Sequence, residues 1–289
     1  AKDGDRFVAL ASFCADVPGT ADERPLRLKL LVDCSGSMGG DSIEAARRAL
    51  HRILASLEPA DRFSFSRFGS HVVHETDGLV SADAGHVRTT AERLGRMDAD
   101  LGGTELQGAL RAAMAIPSSE EAVKDLLLIT DGEVWAVEQV VDLAARSGHR
   151  LFVVAVGAAP AEGLARLLSE KTGGACEFVS PNEDIEGAIV RMFQRLRETP
   201  KRVSKVEWPV TPDWVAPVPA MVFSGDTLHL LAGFSTRPVG DLRVTISGAA
   251  CGEMQLPCAV SEPADLPILP RVAAARRLAS LEDEEAGAL

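Results

Sequence analysis

Five oxygen-bearing side chains in this sequence are spaced so that they could bind a metal ion together. Asp33, Ser35 and Ser37 alternate in Leu-Val-Asp-Cys-Ser-Gly-Ser-Met-Gly-Gly, directly after a run of apolar residues. Thr104 follows two glycines in Leu-Gly-Gly-Thr-Glu-Leu, and Asp131 follows a second apolar run in Leu-Leu-Leu-Ile-Thr-Asp-Gly-Glu. Two carboxylates and three hydroxyls are hard oxygen ligands, which suit Mg²⁺ best, with Mn²⁺ as the next choice.

The elements that must position these side chains alternate between strand and helix. The predicted strands are Leu26–Val32, Arg62–Phe68, Asp125–Thr130 and Arg150–Val156; a helix capped by Asp41 ends before Pro59, and the later helices are Ala84–Met97, Glu105–Ala115, Val134–Arg146, Glu162–Thr172 and Asn182–Arg197. This order predicts an α/β fold, a doubly wound, mostly parallel sheet with helices on both faces. Ligands of such sheets bind beyond the carboxyl ends of the strands, where the five oxygens lie.

The remaining chain has a different pattern. Ten of the 16 prolines follow Thr199, and apolar residues alternate there, as in Leu242, Val244 and Ile246. We therefore expect an α/β domain at 23–199, a smaller β-rich domain with a short C-terminal helix at 200–289, and an N-terminal segment, 1–22, whose strand Arg6–Cys14 joins the β-rich domain.

Charge and hydropathy exclude several classes of partner. The formal net charge is −12, which opposes binding to nucleic acid or to an anionic membrane surface. No apolar run reaches the roughly 20 residues that span a bilayer, so we expect no membrane insertion in this chain. The compartment stays open between cytoplasmic and extracellular, because a chain that begins at Ala1 is compatible with being a segment of a longer protein.

The five cysteines do not form a recognisable metal or disulfide pattern. Their number is odd and no Cys-x-x-Cys pair occurs, although Cys251 and Cys258 could bridge a hairpin. Cys34 lies between Asp33 and Ser35, and the alternation that directs its neighbours to one side directs Cys34 to the other. We expect it to be a small buried residue.

The pattern Asp-x-Ser-x-Ser, a distant Thr and a later Asp-Gly resembles the metal-ion-dependent adhesion site of the von Willebrand factor type A domain. The resemblance covers Pro25 to Thr199. It implies that the hydroxyls of Ser35, Ser37 and Thr104 contact the metal directly or nearly so, whereas Asp33 and Asp131 hold it directly or through water. Ile-Thr-Asp-Gly-Glu-Val-Trp and the strand Gly-Asp-Arg-Phe-Val-Ala-Leu are further similar to the inter-alpha-trypsin inhibitor heavy-chain type.

The charges at the predicted site favour recognition of an anion. Two carboxylates roughly cancel the charge of a divalent ion, and helix N-termini add partial positive charge. We therefore expect a non-enzymatic protein-binding module in which an Asp or Glu of a partner completes the metal's shell. The alternatives are a metal-assisted hydrolase with Glu133 or Glu105 as general base and a scaffold with a purely structural metal.

Ordinary structural roles are also open to several of these residues. Thr104 with Gln107 forms a potential capping box, the two serines could support turns, and Asp131 could cap the next helix. Trp135 and Val134 could either pack under the site or present an apolar contact beside it. His71 and His74 are three apart on a predicted strand, which places their side chains on opposite faces and argues against a joint metal site.

Overall fold

Two units make up the chain, one formed by Ala21–Glu198 and the other by Ala1–Thr20 together with Thr199–Leu289. The structure is a computed structural model. It describes residues 2–3, 6–14, 24–118, 123–131, 137–157, 162–180, 183–219, 221–224, 226–248, 252–259, 269–275 and 277. Glu133, Val134, Trp135 and Cys251 lie outside the described residues, so the roles suggested for them stay predictions.

Strands and helices alternate along the first unit, and strands dominate the second. In chain order the elements are β1 Lys2–Asp3, β2 Arg6–Cys14, β3 Arg27–Asp33, α1 Asp41–Ser56, β4 Arg62–Phe68, β5 Val72–His74, β6 Val80–Ser81, α2 Ala84–Leu94, α3 Leu106–Ala115, β7 Lys124–Thr130, α4 Val137–Arg146, β8 His149–Val156, α5 Glu162–Thr172, β9 Ala175–Val179, α6 Ile185–Leu196, β10 Lys201–Glu207, β11 Trp214–Val215, β12 Met221–Val222, β13 Thr227–Phe234, β14 Asp241–Gly248 and β15 Gly252–Ala259.

The sheet of the first unit has the order β5-β4-β3-β7-β8-β9, and β6 pairs with β4. Strands β3, β4, β7, β8 and β9 are parallel, whereas β5 and β6 run antiparallel to β4. From β3 the chain moves to β4 on one side and later returns to β7 on the other side. The strand order therefore reverses between β3 and β7.

Helices cover both faces of this sheet because its central strands are apolar on both sides. Almost every residue of β3, β7 and β8 is buried. Helices α3, α4 and α5 share one apolar cluster with the sheet, while α6 packs on α1 and contacts β7, β8 and β9. These observations confirm the predicted doubly wound, mostly parallel sheet with additional β structure.

The start of α1 differs from the prediction. The helix begins at Asp41, and Gly40 occupies the N-cap position with a φ of 80°. Glycine adopts this left-handed region without the steric cost that a side chain would bring. Asp41 is therefore not the cap, but it lies in the first turn, where its negative charge is favourable beside the helix N-terminus.

Two four-stranded sheets of the second unit enclose a common core. Their orders are β1-β2-β13-β11 and β12-β10-β14-β15, and every residue of β13 pairs with a residue of β2. Leu228, Leu230, Leu242, Val244 and Ile246 are buried together between the sheets. A helical segment, residues 269–275, packs on the other face of the first of these sheets. None of the helices in the described ranges is long and apolar enough to cross a membrane.

Candidate metal centre

The candidate site lies at the carboxyl ends of β3 and β7, the two strands between which the strand order reverses. Asp33 is the last residue of β3, and Asp131 directly follows β7. The register pairs Val32 with Ile129, so Asp33 and Thr130 come side by side. This is the position at which open α/β sheets bind ligands.

Asp33 is fully buried, and the chain satisfies both of its oxygens. Its Oδ1 accepts a hydrogen bond from the Ser35 amide at 2.9 Å, and its Oδ2 accepts one from Thr130 Oγ1 at 2.6 Å. Burial raises the pKa of Asp33, against the lowering effect of the hydrogen bonds from Thr130 and Ser35. The carboxylate is thus held in one orientation at the end of the strand.

A row of hydrogen bonds joins the turn after β3 to the end of β7. Ser37 Oγ donates to Asp131 Oδ1 at 2.9 Å. The hydroxyl oxygens of Ser35 and Ser37 are 3.1 Å apart, which is hydrogen-bond distance. The Ser35 hydroxyl makes no capping bond to the short 3-10 turn Gly36–Met38 that follows it. The structure thus brings Ser35, Ser37 and Asp131 together.

The pKa of Asp131 reflects this crowded position. Burial raises it above its ordinary value, the hydrogen bond from Ser37 lowers it, and the nearby negative charge of Asp33 raises it again. The two carboxylates therefore repel one another in a partly desolvated place. A cation between them would remove this repulsion.

The loop that leads to Thr104 is joined to the Asp33–Ser37 turn by backbone hydrogen bonds. The Leu101 amide donates to the Cys34 carbonyl and the Gly36 amide donates to the Gly102 carbonyl, both at 2.9 Å. Gly102 has a φ of 80°, which favours glycine at this position. These contacts place Thr104, two residues further on, at the same edge of the sheet.

The capping-box interpretation of Thr104 is wrong. Helix α3 begins at Leu106 with Glu105 in the N-cap position and no side-chain cap. Gln107 instead donates to Gln139 Oε1 at 3.1 Å, which links α3 to α4. Thr104 is half-buried, and its hydroxyl has no hydrogen-bond partner among the described residues. Its side chain is therefore available for a ligand.

The comparisons with known proteins place this architecture in a family. A family model described as von Willebrand factor type A domain matches residues 26–178. The chain belongs to the von Willebrand factor type A domain family. Domains of this family generally serve as modules for protein interaction. All five candidate residues lie within the matched segment, with Asp33, Ser35 and Ser37 near its start.

Individual relatives agree with this membership. The chain is 28% identical over 225 residues to a von Willebrand factor A domain-containing protein of Dictyostelium discoideum, covering 75% of this chain and 24% of that protein. It is 26% identical over 241 residues to von Willebrand factor A domain-containing protein 5A of Rattus norvegicus, covering 78% of this chain and 29% of the relative. The chain thus spans about a quarter of the length of these proteins.

Solved structures resemble this one in fold. The von Willebrand factor type A protein from Catenulispora acidiphila matches with a TM-score of 0.55 at 15% identity, covering 89% of this chain and 74% of its own. BatB from Bacteroides thetaiotaomicron matches with a TM-score of 0.50 at 17% identity, covering 59% of this chain and 98% of its own. At these identities the likeness shows the fold alone.

The donor set of this von Willebrand factor type A domain fits a small, hard divalent cation. No group of three or more His, Cys, Asp or Glu side chains within the described ranges could hold a metal ion. A cation at this edge would therefore depend on hydroxyl oxygens as well as the two carboxylates. Such a mixture suits Mg²⁺, which takes few protein carboxylates and keeps several waters.

Other residues considered for the site are occupied elsewhere. Cys34 is fully buried, and burial raises the pKa of its thiol to about 12, which confirms it as a buried, unreactive side chain. The His74 ring nitrogen Nδ1 lies 2.8 Å from Ser66 Oγ. His71 precedes β5 and is exposed, so the two histidines do not share the predicted strand.

Sequence reasoning missed Thr130 and the supports of the Thr104 loop. Thr130 fixes Asp33, and the only signal for it in the sequence is its position at the end of the strand that neighbours β3. Ser70 accepts a hydrogen bond from the Gly103 amide at 2.8 Å, and its own amide donates to the Leu101 carbonyl at 2.7 Å. Ser70 follows β4, and no spacing in the chain connects it with the loop.

Proposed function

We propose that this domain binds a divalent cation, Mg²⁺ or less favourably Mn²⁺, and through it an Asp or Glu carboxylate of a protein partner. The residues that would hold the cation are Asp33, Ser35, Ser37, Thr104 and Asp131. One observation supports the proposal most directly. Hydrogen bonds join Ser35 to Ser37 and Ser37 to Asp131, across the point where the strand order reverses. These bonds gather oxygens from segments that are distant in sequence.

Charge balance supports an acidic partner. The bound cation would supply a positive centre that accepts an anionic ligand. Asp33 and Asp131 together offset two positive charges, the hydroxyls add none, and the N-terminus of α1 directs partial positive charge toward this edge. A partner carboxylate then meets a favourable potential, whereas a basic group does not.

The resemblance to the inter-alpha-trypsin inhibitor heavy-chain type belongs to the same proposal. The sequence Ile-Thr-Asp-Gly-Glu-Val-Trp around Asp131 and the sequence Gly-Asp-Arg-Phe-Val-Ala-Leu near the start of the chain support it. A further domain encoded ahead of Ala1 in the full-length gene would strengthen this assignment, because proteins of that type usually carry one there.

We further propose that the protein acts by binding and not by catalysis. Glu105, one of the two candidate general bases, is exposed at the start of α3 and makes no capping contact. Glu133 lies outside the described residues. Hydrolysis of a phosphoester or peptide that disappears in Glu133→Gln would reverse this proposal.

The decisive experiment measures Mg²⁺ binding by isothermal titration calorimetry and partner retention in a pull-down with Mg²⁺ or with EDTA. Thr104→Ala removes a hydroxyl that has no partner among the described residues, so it should leave the fold intact while weakening both Mg²⁺ binding and partner retention. Thr89→Ala, on the exposed face of α2, is the matched control. Equal Mg²⁺ affinity in wild type and Thr104→Ala would contradict the assignment of Thr104, and absence of Mg²⁺ binding in wild type would contradict the function.

A further inference from the structure

Arg67 contacts three segments of the chain near the candidate site. It lies near the end of β4, and only 16% of its side chain is exposed. Its Nε donates to Glu75 Oε1 at 2.7 Å, just after β5, and its Nη1 donates to Asp100 Oδ1 at 3.1 Å. The guanidinium is also close enough to the Cys34 thiol to lower the pKa of that thiol, against the larger effect of burial.

Asp100 begins the loop that carries Thr104. The next residues of this loop bond to the Asp33–Ser37 turn through the pairs Leu101–Cys34 and Gly36–Gly102. Gly102 and Gly103 give the loop backbone more conformational freedom than other residues would. Contacts from outside the loop limit this freedom, and Ser70 provides one of them at Gly103.

We propose that Arg67 is a positioning residue that fixes the Thr104 loop against the Asp33–Ser37 turn. Its planar guanidinium presents donors in fixed directions, so one side chain can hold the Glu75 and Asp100 carboxylates at once. Glu75 is itself largely buried and tied to β4, because its amide donates to the Phe65 carbonyl at 2.8 Å. Arg67 therefore fixes the position of Asp100 relative to β4 and to Glu75.

This role extends the proposed function, on which its consequence for metal affinity rests. Thr104 can serve as a ligand only when the loop holds it at the edge where Asp33 and Ser37 lie. The exposed carboxylate of Asp100, 61% of whose side chain is accessible, would contribute little as an isolated surface ion pair. The ion pair with Arg67 is expected to be stronger than an isolated surface pair because the Arg67 guanidinium is partly buried.

The test compares Arg67→Gln, Arg67→Lys and Asp100→Ala with wild type. Arg62→Gln is the matched control. Arg62 lies at the opposite end of the same strand, and its side chain donates a hydrogen bond to the Leu79 carbonyl, away from the candidate site. Two quantities are measured. The first is the Kd for Mg²⁺ by calorimetry, and the second is hydrogen exchange at the Leu101 and Gly36 amides, with Leu30 and Leu127 as reference amides of the sheet.

We expect Arg67→Gln to raise the Mg²⁺ Kd roughly tenfold, as loss of a group that supports a metal ligand commonly does. Exchange at the Leu101 and Gly36 amides should accelerate while the reference amides stay protected. Asp100→Ala should also raise the Kd and accelerate exchange at these two amides. Arg67→Lys should give values between those of wild type and Arg67→Gln, and Arg62→Gln should change neither quantity. Because Asp100 is exposed, its variant keeps the test valid if Arg67→Gln does not fold.

Unchanged exchange at the Leu101 and Gly36 amides in both Arg67→Gln and Asp100→Ala would overturn the inference. Uniform acceleration that includes the reference amides would do the same, because it would indicate a general loss of stability. If wild type bound no Mg²⁺, the proposed function would fail, and the exchange pattern alone would still decide the role of Arg67.

Discussion

Ser37 and Asp131 are 94 residues apart in the chain, yet the hydroxyl of Ser37 donates to Oδ1 of Asp131 at 2.9 Å. This bond crosses the gap between the turn after β3 and the end of β7. Its formation requires that both strands end at the same edge of the sheet. The relationship therefore ties the topology of the domain directly to its candidate site.

Replacement of this hydroxyl should separate binding from folding. Ser37 is exposed, so we expect Ser37→Ala to cost less than about 1 kcal/mol of unfolding free energy. Loss of a metal-contacting oxygen should nevertheless weaken Mg²⁺ binding by roughly tenfold or more, measured by calorimetry. Ser56→Ala removes a comparable exposed hydroxyl at the end of α1 and should leave the Kd unchanged. An unaltered Kd in Ser37→Ala would remove this serine from the ligand set.

Addition and removal of Mg²⁺ should distinguish a partner-binding site from a purely structural metal. Mg²⁺ at about a hundredfold excess over its Kd should stabilise the folded state by about 2.7 kcal/mol, and EDTA should reverse this. The measurement is thermal unfolding beside a partner pull-down in the same buffers. If chelation lowered the melting temperature while partner retention stayed the same, the metal would be structural and the proposed recognition would be wrong.

Two glycines of the site should respond differently to the same substitution. A Cβ at Gly102 would meet Ser70 Oγ at 2.8 Å, and the φ of 80° would strain any side chain. Gly102→Ala should therefore cost about 1–3 kcal/mol and weaken Mg²⁺ binding, because the Thr104 loop must shift. Gly36→Ala meets no atom within 4 Å and should fold with wild-type stability. Equal urea midpoints for the two variants would show that the loop tolerates the strain.

Hydrophobic patterning correctly predicted the alternating strands and helices of the α/β domain. The prediction gives both ends of β4, Arg62 and Phe68, correctly. Strands β7 and β8 each begin one residue before the predicted start, and β3 is displaced by one residue at both ends. Such strands are buried on both faces, and a continuous apolar run has few other places in a folded chain. The positions of Asp33 and Asp131 at strand ends followed directly from these boundaries.

The contacts that hold the site could not be predicted in the same way. Arg67, Glu75 and Asp100 are charged residues without periodicity, and their association depends on how β4, β5 and the Thr104 loop lie in three dimensions. The error at Thr104 has a similar cause. A capping box is a local rule, but the backbone bonds of Leu101 and Gly36 set where the loop ends and where α3 begins.

A buried carboxylate at the opposite end of the sheet should be important for stability. Asp61 accepts hydrogen bonds from the Leu26 amide at 2.8 Å and the Glu58 amide at 2.7 Å, and it pairs with Arg197 after α6. Asp61→Ala leaves the two amides without this acceptor and removes the buried partner of Arg197, so it should cost about 3–5 kcal/mol in urea unfolding. The control is Glu186→Gln, whose ion pairs with exposed arginines should be worth less than about 1 kcal/mol. Similar losses in both variants would contradict the importance given to Asp61.

Stability should also depend on pH through His149. This residue is buried at the start of β8, and burial, together with the positive charges of Lys29 and Lys124, lowers its pKa to about 4 from 6.5. Well above pH 6.5 the ring is neutral in both the folded and the unfolded chain. As the pH falls from 6.5 to 4, the unfolded chain binds a proton that the folded chain does not, so the free energy of unfolding decreases.

We expect this group to remove about 1–3 kcal/mol of stability between pH 6.5 and pH 4. Because carboxylates titrate in part of the same range, the measurement is the difference between wild type and His149→Gln in urea unfolding at each pH. His51→Gln, on the exposed face of α1, is the matched control and should follow wild type at every pH. Parallel curves for wild type and His149→Gln would show that the buried ring takes up its proton as readily in the folded chain as in the unfolded one, and the argument from its burial would be wrong.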